Sequence, residues 1–239
     1  MLNREEIKYI AMLTMLLNHI AHIFLTKGTF LYEVLEDIGF FTAPVMCFFL
    51  VEGYGYTRAK ARYGMRLFLF AVLSQIPFAL AFPGSGLNMI YTLFCCFMIL
   101  AVMEYVDILP LKRGLVALLT LATVAGDWAV VAPVLTASLA AFWGNRRRMA
   151  WCFGGNAIIF AVLNIQNYVF GEQGDWTLYA VFHAALSGLG IVAAGVAVMV
   201  FYSGERAKRG RNFSKWFFYF FYPAHLLVLY GIRSCLHNI

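Results

Sequence analysis

Apolar residues occur along this chain in long runs that short polar segments separate. The first run, Ile7–Thr26, reads IKYIAMLTMLLNHIAHIFLT and has about the twenty residues that a membrane-spanning helix requires. Comparable runs follow as far as the C-terminal end. The pattern predicts an all-α, polytopic transmembrane helix bundle of about nine spans. These spans lie near 7–26, 34–57, 65–82, 88–106, 114–125, 128–143, 149–170, 177–202 and 214–236.

The distribution of Lys and Arg favours nine spans. With nine spans, almost all basic residues fall on one side of the membrane, and only Lys27 and Arg233 fall on the other. The positive-inside rule then puts the N-terminus in the cytoplasm. Joining the two short runs in the middle of the chain would instead place the Arg triplet at 146–148 outside. In the nine-span arrangement the outer loops carry acidic residues, among them Glu33, Glu36 and Asp37.

Composition excludes a soluble protein. Of the 239 residues, 62% are apolar and 13% are charged, whereas soluble domains average about 45–50% apolar and about 25% charged. A single domain over residues 1–239 is expected. The net charge of +6 does not indicate nucleic-acid binding, because the basic residues lie in short loops between apolar runs. The five cysteines include no CxxC pair, so neither a zinc site nor any other metal is expected.

Ionisable residues inside the apolar runs are the candidates for chemistry. A titratable side chain at membrane depth is costly and usually faces a bundle interior or a cavity. His19 suits a general base, since a neutral imidazole can accept a proton near pH 7. The alternative is a histidine that only forms a hydrogen bond between helices. His22 lies one turn further along, and a structural role is favoured for it. Glu52 and His225 also lie within predicted spans.

Basic residues at the predicted inner surface have more than one interpretation. Arg58 and Arg66 either anchor their helices or bind phosphate. The segment at 202–215, YSGERAKRGRNFSK, is the densest basic run. It holds its loop in the cytoplasm, binds anionic lipid headgroups, or binds the phosphates of a nucleotide-like cofactor, and the sequence does not decide between these.

Three long blocks resemble the TraX family, which is named for a conjugal-transfer protein that acetylates the pilin N-terminus. They are IKYIAMLTMLLNHIAHIF, then APVMCFFLVEGYGYTRAKARYGMRLFLFAVLSQIPFALAF with LNMIYTL, and FYSGERAKRGRNFSKWFFYFFYPAHLLVLY. His19 matches the histidine of the family's Asp-His-Ile-Gly motif. The sequence departs from that motif at both ends, where Asn18 replaces Asp and Ala21 replaces Gly.

The resemblance implies a multi-pass acyltransferase of the bacterial cytoplasmic membrane, with acetyl-CoA as the acyl donor. The acceptor would be an amine or hydroxyl of a peptide or carbohydrate at the outer face. The implied catalytic residues are His19, Glu52, Tyr222 and His225. The implied cofactor-binding residues are Arg58, Arg66, Glu205 and Arg206. Two other functions stay open, namely a small transporter or flippase with a histidine proton relay, and a non-catalytic assembly factor.

Overall fold

The computed structural model describes residues 1–169, 178–207 and 210–237, and most of these are helical. A 3₁₀ turn follows the sixth α-helix, and a π turn follows the ninth. Extended pairing in the described ranges is limited to two isolated bridges, Leu2 with Tyr202 and Leu87 with Gly126. The all-α prediction is confirmed. The α-helices are α1 Arg4–Phe24, α2 Phe30–Gly39, α3 Thr42–Tyr56, α4 Lys60–Ala81, α5 Met89–Tyr105, α6 Leu109–Ala122, α7 Val131–Ala141, α8 Arg146–Val169, α9 Leu178–Val196 and α10 Arg211–His237.

Five helical segments in the described part are long and apolar enough to cross a membrane, which supports the prediction of a membrane protein. Two further apolar helices are shorter. The five segments are Arg4–Phe24, Phe30–Tyr56, Lys60–Ala81, Arg146–Ile165 and Ala180–Phe201, and the two shorter helices are Met89–Tyr105 and Val131–Ala141.

The helix predicted near 34–57 is interrupted in the structure. The chain leaves α2 after Gly39 and enters α3 at Thr42, so the run forms two helices. The two short runs predicted in the middle of the chain are separate helices, as expected, because a loop after the 3₁₀ turn divides α6 from α7. Backbone hydrogen bonds to Leu87 hold that loop. The N–H of Leu87 donates to the carbonyl of Ala125, and its carbonyl accepts from the N–H of Asp127.

The helices group into two compact units, which we describe one at a time. One contains Met1–Val45 and Phe142–Glu205, and the other contains Met46–Ala141 and the described part of Arg206–Ile239. The single-domain expectation stays a prediction.

The first unit contains α1, α2, α8 and α9. A capping box starts α1, since Asn3 and Glu6 each accept the other's backbone N–H, at 3.0 and 2.7 Å. Residues 2–4 pair with the segment after α9, because Arg4 N–H donates to the Glu205 carbonyl at 2.9 Å. Helix α2 packs against both α1 and α9.

The second unit is organised around α4 and α5. Asn88, which is fully buried, caps α5 by accepting two backbone N–H groups, and it donates to the Ala71 carbonyl of α4 at 2.7 Å. The α10 residue Arg233 donates to the carbonyls of Leu80 and Ala81 at the end of α4. These polar side chains satisfy helix ends that would otherwise lack partners.

A glycine permits the close packing of α2 on α1. A Cβ atom at Gly39 would lie 2.2 Å from the Cβ of Asn18, so a larger residue requires movement of the backbone. We therefore expect Gly39→Ala to destabilise the protein by about 1–3 kcal/mol. The measurement is the thermal unfolding midpoint of the detergent-solubilised protein.

Gly154→Ala is the matched control for this prediction. Gly154 lies in α8 of the same unit, and a Cβ there meets no atom within 4 Å. Its midpoint should stay the same or rise slightly, since alanine favours a helix more than glycine does. Equal midpoints for the two variants would contradict the close packing at Gly39.

Candidate functional site

The predicted base, His19, is buried in the first unit with 8% of its surface exposed. Its sequence neighbour Asn18 binds helix α2. The Asn18 amide donates to the backbone carbonyl of Glu36 on α2 at 3.2 Å. Successive residues of an α-helix point about 100° apart, so the side chains of Asn18 and His19 point in different directions.

His22 lies at the centre of a polar cluster. Its Nδ1 is 2.9 Å from the hydroxyl of Tyr32, and that hydroxyl donates to Oε1 of Glu36 at 3.1 Å. The Nε2 of His22 lies 3.3 Å from the same carboxylate oxygen. Three side chains from α1 and α2 thus contact one another pairwise.

A second histidine–carboxylate pair lies beside this cluster. Glu33 is buried on α2, and its carboxylate is 3.7 Å from Nδ1 of His183 on α9. The prediction that Glu33, Glu36 and Asp37 lie in an outer loop is wrong, since all three belong to α2 and are partly or fully buried. The signal was present in FLYEVLEDIG, where Tyr and acidic residues recur three and four positions apart on one helix face.

The second unit holds the other three predicted catalytic residues, each buried. Glu52 on α3 is 6% exposed, and Tyr222 and His225 on α10 are 5% and 6% exposed. His225 is the best defined of them. Its Nδ1 is 2.7 Å from the carbonyl of Phe221, on whose ring it stacks. Because a carbonyl oxygen only accepts, Nδ1 carries the proton, and Nε2 is the nitrogen that can accept one.

Two of the predicted cofactor-binding residues flank the turn between α3 and α4. Arg58 is exposed just after α3, and Arg66 lies two turns into α4 with its guanidinium 5.7 Å from the ring of Tyr63. The Nε of Arg66 is buried and makes no hydrogen bond within the described part of the chain. Arg66 therefore keeps a donor available.

Glu205 and Arg206 are exposed neighbours in the chain. The backbone carbonyl of Glu205 is held by Arg4, while both side chains extend into open surroundings. Glu205 ends a segment of the first unit and Arg206 begins a segment of the second. Their predicted roles with a cofactor stay predictions.

A network that the sequence did not reveal holds the turn beside Arg58. The hydroxyl of Tyr54 donates to the Glu104 carboxylate at 2.5 Å, and Lys60 forms an ion pair with the same carboxylate. The Lys60 ammonium also lies 4.5 Å from the centre of the Tyr54 ring. The ends of α3 and α5 and the start of α4 are thereby joined.

These helices and buried polar side chains define an all-helical integral membrane protein. A family model described as TraX protein matches residues 3–233, which is nearly the whole chain. The chain belongs to the TraX family, and the resemblance found in the sequence is confirmed.

A curated bacterial relative is similar to this chain over almost the whole length of both proteins. It is the "Probable fimbrial assembly protein FimC, serogroup H1" of Dichelobacter nodosus, and it is 30% identical over 246 residues. The match covers 97% of this chain and 96% of the relative. No solved structure matches this chain.

Proposed function

We propose that this protein is a membrane acyltransferase that moves an acetyl group from cytoplasmic acetyl-CoA to an acceptor at the outer face. By analogy with the family, the acceptor is the N-terminal amine of a pilin-like peptide, and a hydroxyl of a carbohydrate is the alternative. The observation that carries the proposal is the burial of His19, Glu52 and His225 in apolar helices. Such groups are costly at membrane depth and are typical of reactive sites.

The proposed reaction uses His19 as the base. His19 takes a proton from the acceptor, and the acceptor's nitrogen or oxygen then attacks the carbonyl carbon of the thioester. The new bond to carbon forms as the carbon–sulfur bond breaks. The CoA thiolate leaves and takes up a proton from water. Glu52, Tyr222 and His225 of the second unit stay predicted catalytic residues, and the fixed ring of His225 supports a proton-accepting role at its Nε2.

The proposed donor site uses guanidinium groups to bind the phosphates of CoA. Arg66 supports this role because its Nε donates no hydrogen bond within the described part of the chain, and guanidinium binds phosphate through paired hydrogen bonds. Arg58 and Arg206 are exposed and able to contribute charge from the surface. Glu205 is proposed to contact the same cofactor.

The proposed topology has about nine spans, with the N-terminus in the cytoplasm and the chain in the bacterial cytoplasmic membrane. The concentration of Lys and Arg in alternate loops supports it. It brings Arg58, Arg66 and Arg206 to the side where acetyl-CoA is present.

The relative's name favours a second candidate, a non-catalytic assembly factor that packs against fimbrial or pilin-like subunits. This candidate requires no acyl donor. Binding of acetyl-CoA therefore separates the two proposals.

Acetyl-CoA should bind saturably to the detergent-purified protein, as measured by isothermal titration calorimetry. Arg66→Ala and Arg206→Ala should each weaken binding about tenfold, because each removes a charge-assisted hydrogen bond. Arg113→Ala is the matched control, since Arg113 is an exposed residue of α6 in the same unit as Arg66. Absence of binding by a folded protein would shift the conclusion to the assembly factor.

His19→Ala should lower acetyl transfer by about 10²–10⁴-fold, which is the usual contribution of a general base. The assay uses acetyl-CoA and a synthetic peptide with a free N-terminal amine, with the product measured by mass spectrometry. A peptide with a blocked N-terminus is the substrate control. Acetyl-CoA affinity and the unfolding midpoint should be retained. Normal turnover by the variant would exclude His19 as the base.

The topology is tested by labelling single cysteines in a cysteine-free background of intact cells. A membrane-impermeant thiol reagent should label Thr26→Cys, which is exposed after α1, and should leave Arg113→Cys unlabelled until the cells are opened. The opposite pattern would reverse the orientation.

A further inference from the structure

The polar cluster on α2 holds more ionisable groups than a packing role requires. Glu33, Glu36 and Asp37 lie on this ten-residue helix at positions three and four apart, and each neighbouring helix supplies one histidine. His22 comes from α1 and His183 from α9. The side chains of His22 and Glu36 are 30% and 16% exposed, so the pair lies between the interior and the surface.

Hydrogen-bond chemistry constrains where the protons of this cluster lie. The Tyr32 hydroxyl has one hydrogen, which it donates to Glu36, so it accepts a hydrogen bond from Nδ1 of His22. The Nε2 of His22 then faces the same carboxylate at 3.3 Å. Two lone pairs at that distance repel each other, so a further proton lies between Nε2 and Oε1. The cluster therefore stores one proton, as an imidazolium beside a carboxylate or as an imidazole beside a carboxylic acid.

The position of His22 relates this stored proton to His19. The two residues are three apart on α1 and therefore lie on one face, about one helical turn from each other. His19 is buried, and His22 is nearer to the C-terminal end of α1 and more exposed. A buried base must release its proton before each new reaction cycle. On this face of α1, His22 lies between His19 and the C-terminal end of the helix.

We propose that His22, Tyr32 and Glu36 form a proton relay that carries the proton accepted by His19 to water at the end of α1. This inference rests on the proposed acyl transfer. For each acyl group transferred, His19 takes one proton from the acceptor and passes it on. The proton held between Nε2 and Glu36 first leaves to water, which frees the lone pair of Nε2. His22 then accepts the proton from His19, and the cluster returns to its starting state. Tyr32 and Glu36 are positioning residues, because they act by holding the imidazole and its proton.

Within the described part of the chain, titratable groups near this relay come from α2, from the end of α1 and from α9. Glu33 and Asp37 lie on the same helix as Glu36, and both interact with it electrostatically. Lys27, just after α1, interacts with His22 and Glu36. His183 of α9 approaches Glu33 instead of Glu36. Glu33 is thus the matched control for Glu36, since it has the same side chain, helix and degree of burial but a different histidine.

The experiment measures acetyl transfer to the amine peptide at increasing concentrations of imidazole buffer. Glu36→Gln, Tyr32→Phe and His22→Ala should each lower turnover about tenfold in dilute buffer while acetyl-CoA affinity stays the same. Imidazole should restore turnover of His22→Ala several-fold, because a small base in solution replaces the missing acceptor. Wild type and Glu33→Gln should not respond to the buffer.

The outcomes separate this proposal from the proposed function. If wild type transfers acetyl groups and the three variants match it, or if imidazole does not restore turnover of His22→Ala, the relay is overturned and the acyltransferase stands. If wild type binds no acetyl-CoA and transfers nothing, both are overturned. Loss of acetyl-CoA affinity in all three variants would show a structural role for the cluster and would also overturn the relay.

Discussion

The structure depends on one constraint, which is that polar groups in an apolar environment must find their partners within the protein. Helices meet this requirement for their own backbone, and the helix ends need side chains. Asn88 shows how this is done, since one fully buried amide caps α5 and also binds α4. Arg233 does the same for the last carbonyls of α4. Each of these contacts joins two helices, so the satisfaction of polar groups also fixes the packing.

The same constraint explains which features could be predicted from the sequence. Apolar runs of sufficient length can only be helices, so the all-α class and most helix positions followed from hydropathy. Ionisable residues inside those runs had to be buried against protein, and Glu52 and His225 are indeed buried. Neutral polar side chains in and beside these runs also find partners, since the Asn88 amide donates to the side-chain oxygen of Gln75 at 2.8 Å.

The features that were missed depend on contacts between distant parts of the chain. The break between α2 and α3 occurs where Gly39 lies against Asn18 of α1, and no local signal predicts that contact. The spacing of the acidic residues in FLYEVLEDIG indicates a helix face, but their burial depends on partners that lie elsewhere in the chain. The partner of Glu33 is His183, 150 positions further along the chain. The pairing of Leu2 with Tyr202 likewise has no signature in either segment.

The same constraint explains why Asn18 can stand where the family motif has Asp. An Asp next to His19 would suggest a charge that orients the base, yet the Asn18 amide donates to the backbone carbonyl of Glu36. An ionised Asp at position 18 of α1 has no hydrogen to donate. It would also add a fourth carboxylate beside α2, which already carries three. Asn18 satisfies the carbonyl without adding charge. The departure from the family motif therefore fits the local electrostatics of α2.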